Sequence, residues 1–190
     1  MDKNVITIVS GLPRSGTSMM MKMIEAGGIP VLVDNIRTAD EDNPKGYYEF
    51  ERVKQIESDK AWLPEAKGKV VKMISELLKH LPPEYKYKIV FMRRKIEETL
   101  ASQKQMLIRR GEPTDKVGDD KMTELFRKHL VRLSAWIEKQ PNVGILYVNY
   151  SDVMASPAEE AKKINDFLGG GMNLEAMGGV ADPNLYRQRK

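Results

Sequence analysis

"NVITIVSGLPRSGTSMMMKMIEAGG", residues 4–28, decides how this chain is read. Its opening "NVITIVS" (4–10) is apolar, rich in Val and Ile and of strand length, whereas the segment from Ser18 to Ala26 reads as a helix ended by Gly27 and Gly28. Between them lies "GLPRSGTS", Gly11 to Ser18. A buried strand feeding a glycine-bearing loop that opens a helix aims several backbone N–H groups and the positive end of the helix dipole at one point in space. That point suits a phosphate. Gly11 and Gly16 allow close backbone approach, Thr17 and Ser18 place hydroxyls at the helix start, and Arg14 adds a fixed positive charge that a bare turn does not need. The run "MMMKM" (19–23) reads as helix packing.

Outward from this unit the same alternation repeats. "KVVKMI" (69–74), "KIVFM" (88–92) and "GILYV" (144–148) read as short buried strands, with "IPVLV" (29–33) as a weaker one. Helical patterns cover residues 51–60, 96–110, which ends at Gly111, and 120–140, which ends at Pro141; a last helix over 157–168 takes Ser156 as N-cap. Strand then helix, repeated, predicts an α/β fold: a three-layer P-loop NTPase-like architecture with a central parallel sheet flanked by helices, in one domain over residues 1–190. Two polar inserts, 34–48 and 111–120, are long enough to shape a substrate site.

Composition bounds the function classes. The 190 residues are 41% hydrophobic and 31% charged, the balance of a globular protein, and they include no cysteine, which excludes disulfides and thiolate metal ligands. No stretch approaches the roughly 18 unbroken apolar residues of a membrane span, and the N-terminus lacks a cleavable leader pattern, so a cytoplasmic protein is expected. The net charge of +4 favours anionic ligands mildly and supplies no basic stripe for nucleic acid. Oligomeric state is not legible.

The loop departs from a nucleotide hydrolase's in one decisive position. A Walker loop, G-x-x-x-x-G-K-[ST], uses its lysine on the terminal phosphates, and here Thr17 stands in that place while the charge sits three residues upstream at Arg14. No strand ends in the aspartate that would hold magnesium: "KIVFM" runs into Arg93 and Arg94, and "GILYV" into Asn149. Instead "GLPRSGTSMMMKMI" resembles the 5′-phosphosulfate loop of cytosolic-type and bacterial sulfotransferases, which use 3′-phosphoadenosine 5′-phosphosulfate (PAPS) as donor. "KIVFMRRKIEETLASQ" resembles the same family's 3′-phosphate segment, a strand-end arginine followed eight residues later by a serine, here Arg94 and Ser102; Arg93 fits less well, because eight residues beyond it lies Ala101. "NPKGYYE" (43–49), residues 145–169 and "ADPNLYRQRK" (181–190) look like segments of bacterial members.

The resemblance implies in-line sulfuryl transfer from PAPS to a small-molecule acceptor, with no metal. It places Pro13, Arg14, Ser15, Gly16, Thr17 and Ser18 around the 5′-phosphosulfate, with Arg14 stabilising charge on the leaving group, and Arg94 and Ser102 at the 3′-phosphate. Arg187 and Arg189 in the C-terminal segment are candidates to close over that phosphate, and Lys72 is the strand lysine that approaches the transferring group. The histidine that well-known members carry two residues after this lysine is replaced by Ile74. His80 lies too near Arg94 in sequence to take its place, and His129 reads as part of an amphipathic helix. Some family members use a carboxylate as base, which leaves Asp34 and Glu49 as candidates. Tyr47, Tyr48, Phe50 and Trp62 could line a pocket or belong to the core. Two other readings stay open: a small-molecule or nucleoside kinase with a degenerate loop, and a module that binds adenosine 3′,5′-bisphosphate (PAP) without chemistry.

Overall fold

In the computed structural model, which describes residues 2–34, 36, 46–114 and 117–182, four parallel strands form the centre of the molecule. They are β1 (Val5–Gly11), β2 (Val70–Lys72), β3 (Lys86–Arg93) and β4 (Val143–Asn149), in the spatial order β2-β1-β3-β4. Period-two alternation sends their side chains to two cores. Ile6, Ile8, Val71, Met73, Tyr87, Ile89 and Phe91 face one side, and Val9, Val70, Val90, Met92 and Val148 face the other. Both faces are apolar, so both must be covered. The first is covered by a 3-10 turn (Glu51–Gln55), α2 (Leu63–Ala66), a second 3-10 turn (Ser75–His80) and the C-terminal half of α4 (Asp119–Ile137). The second is covered by α1 (Thr17–Ala26), α5 (Tyr150–Ala155), α6 (Pro157–Leu168) and α7 (Leu174–Gly178). The methionines Met20, Met21 and Met23 are fully buried there, as helix packing requires.

Several boundaries differ from the sequence reading. "IPVLV" is reduced to one bridge, Val31 to Val70, held by the Leu32 N–H on the Val70 carbonyl (2.8 Å) and the Val70 N–H on the Pro30 carbonyl (2.8 Å). Residues 51–60 form a 3-10 turn and further turns, because Asp59 takes a bidentate bond from Arg52 (2.9 and 3.0 Å) and the Ala61 N–H (3.0 Å), folding the segment back before a helix propagates. Ser156 makes no side-chain cap; its N–H instead donates to Asp152 at the end of α5. Helix α7, which the sequence reading lacked, is capped by Asn173 accepting from Ala176 N–H at 3.0 Å.

Topology sets the site. The chain leaves β1 toward α1 on one face, and it leaves β3 toward α3 (Ile96–Arg109) and α4, the latter packing on the opposite face. Adjacent parallel strands whose exits diverge leave a crevice at their C-terminal ends, where ligands of open α/β sheets bind.

Candidate active site

Residues 11–16 turn the chain from β1 into α1 through three left-handed backbone positions, Gly11 (φ 152°), Arg14 (φ 69°) and Gly16 (φ 98°). Glycine is required at two of them by space as well as by φ. A Cβ at Gly11 would lie 2.4 Å from Ser15 Oγ and 2.7 Å from the Met92 carbonyl, and one at Gly16 would lie 2.5 Å from the Tyr150 ring. Arg14 holds the same conformation with a side chain, at a cost of about 1–2 kcal/mol. Strain of this kind persists only where surrounding contacts over-determine it. Here they do: Arg14 Nε donates to Ser102 Oγ (3.1 Å), and the Arg14 carbonyl accepts from Arg94 Nη1 (3.3 Å).

The sequence reading brought Arg94 and Ser102 together on one phosphate; the structure brings both to Arg14. Arg94 is further fixed by the buried carboxylate of Glu98, whose Oε2 is 3.0 Å from Nε, and by the ring of Tyr150, 4.7 Å from its guanidinium carbon. Glu98 and Tyr150 went unnoticed in the sequence. Glu98 had a signal, the i,i+4 spacing from Arg94; Tyr150 had none, because its role comes from packing against Gly16. Burial raises the Tyr150 phenol above its usual range, with Glu98 and Asp182 adding to the rise and Arg94 and Arg14 opposing it. Arg93 is exposed and stacks on Tyr147 (3.6 Å from its guanidinium carbon to the ring centroid), away from this cluster.

The Ser15 N–H is consumed inside the loop, donating to the Leu12 carbonyl at 3.2 Å. The amides left without an intrahelical acceptor are therefore those of the first turn of α1, which has no side-chain cap. Ser15 Oγ is buried and has no hydrogen-bond partner among the described residues, an orphan inside the loop. Pro13 is exposed at its tip.

A second cation reaches the loop from the neighbouring strand. Lys72 Nζ donates to Ser18 Oγ (3.1 Å) and to the Tyr47 carbonyl (2.7 Å), lies 5.9 Å from the Tyr47 ring and stands 3.8 Å from Glu49 Oε1. Glu49 is thus a neighbour of this cation. Asp34 is not placed with it: Oδ2 accepts from the Glu51 N–H (2.6 Å) and Oδ1 from the Ile36 N–H (3.1 Å), so its carboxylate shapes a turn. Of the aromatics, Trp62 and Tyr47 are buried, and Phe50 packs edge-on to Trp62 at 5.6 Å. Tyr48 donates its hydroxyl to Glu25 (2.5 Å).

His129 is more than a surface histidine. Its Nε2 lies 2.8 Å from Ser75 Oγ and its Nδ1 2.9 Å from Glu76 Oε2, which ties α4 to the turn after β2. His80 ends that turn. Arg187 and Arg189 lie outside the described residues, as does most of the 34–48 insert.

A family model described as "Sulfotransferase family" matches residues 36–173. No curated protein matches significantly. Among solved structures, the sulfotransferase domain of the Synechococcus PCC 7002 olefin synthase is similar at 15% identity and a TM-score of 0.57, over 98% of this chain and 83% of that one. Mouse sulfotransferase SULT7A1 complexed with PAP is similar at 20% identity and 0.59, over 95% and 64%. Sulfotransferase STF1 of Mycobacterium tuberculosis H37Rv is similar at 15% and 0.61, over 93% and 70%. At these identities the structures establish the shared α/β fold.

Proposed function

The chain belongs to the sulfotransferase family, and on that premise we propose that it moves a sulfuryl group from PAPS to a hydroxyl or amine of a small acceptor, by in-line transfer that needs no metal. The observation that carries the reading is the convergence on Arg14: a strained, cationic loop residue between β1 and α1 is clasped by Ser102 and Arg94 from the far side of the crevice. The residues present fit a donor with phosphates at two places. The uncapped start of α1, the orphaned Ser15 hydroxyl and Lys72 with Ser18 suit the phosphosulfate end, while Arg94 and Ser102 on the β3 side suit the 3′-phosphate.

PAPS supplies an activated sulfuryl group. The chain's part is to stabilise the charge that develops as the leaving group departs, and a preorganised guanidinium and ammonium do so more in the transition state than in the ground state. Arg14 and Lys72 take that role. Glu49 takes the acceptor proton, since it neighbours Lys72 while the oxygens of Asp34 are engaged by backbone amides. Lys72 also answers the kinase reading. The ammonium at the loop comes from β2 and contacts Ser18 Oγ, the hydroxyl that a nucleotide hydrolase would give to magnesium.

Calorimetry with PAP in the presence of a chelator tests the donor site, and mass spectrometry of a metabolite extract incubated with PAPS tests transfer. Metal-independent PAP binding and a product heavier by one sulfuryl group are expected. Binding of ATP that requires magnesium, with no PAP binding, would overturn the reading.

A further inference from the structure

At the start of α3 two neighbouring carboxylates have opposite surroundings. Glu97 is exposed, whereas the Glu98 side chain is 2% exposed and lies against Arg94, itself 9% exposed. Taking both charges out of water is costly, and a buried ion pair is often no more stabilising than well-packed apolar residues of the same volume. Stability alone therefore does not account for the pair. What apolar residues cannot do is hold a guanidinium at a fixed angle.

That hold is visible in the geometry. Arg94 follows the end of β3, while Glu98 and Ser102 stand four residues apart on one face of α3. Arg94 Nε donates to Glu98 Oε2 (3.0 Å), its Nη1 donates to the Arg14 carbonyl (3.3 Å), and the Tyr150 ring lies 4.7 Å from its guanidinium carbon. Two acceptors and a packed ring order the fork before any ligand arrives, so less rotamer freedom is lost on binding. The carboxylate thereby fastens a guanidinium from the strand end to the helix that carries Ser102, a residue only 9% exposed. With Nε engaged, a phosphate is met by the terminal nitrogens, from a direction that α3 sets. Charge points the same way. Glu98 cancels the charge of Arg94, so the pair attracts a distant anion weakly and favours one that lies along its N–H bonds. An uncompensated, unfastened arginine would hold any nearby anion with little regard to position.

We infer that Glu98 is a positioning residue that makes the β3 side of the crevice select where the second phosphate sits on the ribose, 3′ over 2′. The inference rests on the PAPS reading for the identity of the ligand.

The test is calorimetry of the whole chain with three probes: PAP, its isomer adenosine 2′,5′-bisphosphate, and adenosine 5′-monophosphate. A hydrogen bond to a charged group is worth a factor of about 10 to 100, so the wild type should prefer PAP to its isomer by that much and bind the isomer little better than the monophosphate. Glu98→Asp keeps the charge and withdraws the oxygen by one methylene, which should bring the two isomers within about threefold of each other. Glu98→Gln keeps the reach and an acceptor oxygen but removes the charge; both isomers should bind more tightly, with PAP still preferred. A purely structural role would instead weaken all three probes by one common factor and leave the isomer ratio unchanged, and thermal midpoints recorded for each variant identify that case. An unchanged ratio in Glu98→Asp overturns the inference. If that variant fails to fold, the other two proteins decide: a wild type indifferent to the isomers, or a Glu98→Gln variant that loses the preference, overturns it equally. PAP binding without isomer preference removes the role of Glu98 and keeps the donor site, whereas a wild type that does not bind PAP removes both.

Discussion

Arg14 is the one non-glycine residue of the loop held at left-handed φ, and this makes Arg14→Gly a sharp test, because stability and activity should move apart. Glycine relieves about 1–2 kcal/mol of backbone strain and returns about 0.5–1 kcal/mol of chain entropy to the unfolded state. The main-chain carbonyl that accepts from Arg94 survives the change. Ser102 Oγ loses its Nε donor, worth about 1 kcal/mol, part of which a helix hydroxyl recovers by bonding the carbonyl four residues back. These terms nearly cancel, so the folded state should be within about 1 kcal/mol of the parent. Turnover should not be. The guanidinium is assigned to the developing charge, and the loss of one such preorganised donor costs about 2.7–4 kcal/mol, roughly 10²- to 10³-fold in kcat. Thermal denaturation gives the first quantity, and the initial rate of PAP release at saturating PAPS and acceptor gives the second. A variant that keeps kcat within about threefold of the parent would refute the assignment of Arg14 to the leaving group. One that unfolds would refute the strain argument.

Glu49→Gln should lower kcat by about 10²-fold or more, with PAP affinity equal or higher because Lys72 loses a competing anion, while Asp34→Asn should cost stability and little turnover; equal kcat losses in both would mean that the base is misassigned. Gly16→Ala adds a Cβ that meets the Tyr150 ring at a φ of 98°, so a loss of roughly 2–4 kcal/mol is expected by chemical denaturation, and an unchanged midpoint would show that the loop can move away from Tyr150. His129 is held below its ordinary 6.5, mainly by burial, with Arg132 and Lys79 adding to the fall and Glu76 opposing it. A depressed histidine pKa means that the unfolded chain binds the proton first, so this contribution to stability is complete above about pH 6.5 and is lost as pH falls through the folded value. Thermal midpoints should drop on acidification in the parent more steeply than in His129→Gln, and parallel curves would remove His129 from the account.

The elements that could be read from the sequence are those whose signal is local. β1, β3, α3 and α6 were legible because buried strands and helices write their periodicity into consecutive residues, and the glycines of the 11–16 loop are where space and φ require them. The segment 51–60 was misread for the complementary reason. Its outcome depends on an Arg52–Asp59 clasp, which helical spacing does not reveal.

The sequence alone determined that a glycine-bearing loop joins the first strand to the first helix and that its charge sits on Arg14 rather than at position 17. Only the tertiary structure decided which groups meet. Arg14 reaches Ser102 across 88 positions and Arg94 across 80, and Lys72 reaches Ser18 across 54, contacts that exist because β1 lies between β2 and β3. Glu49 joins Lys72 while Asp34 is spent on backbone amides, and His129, from within α4, braces the turn that follows β2. Side-chain chemistry is fixed by the chain residue by residue, but a site is a set of distances, and strand order sets those distances.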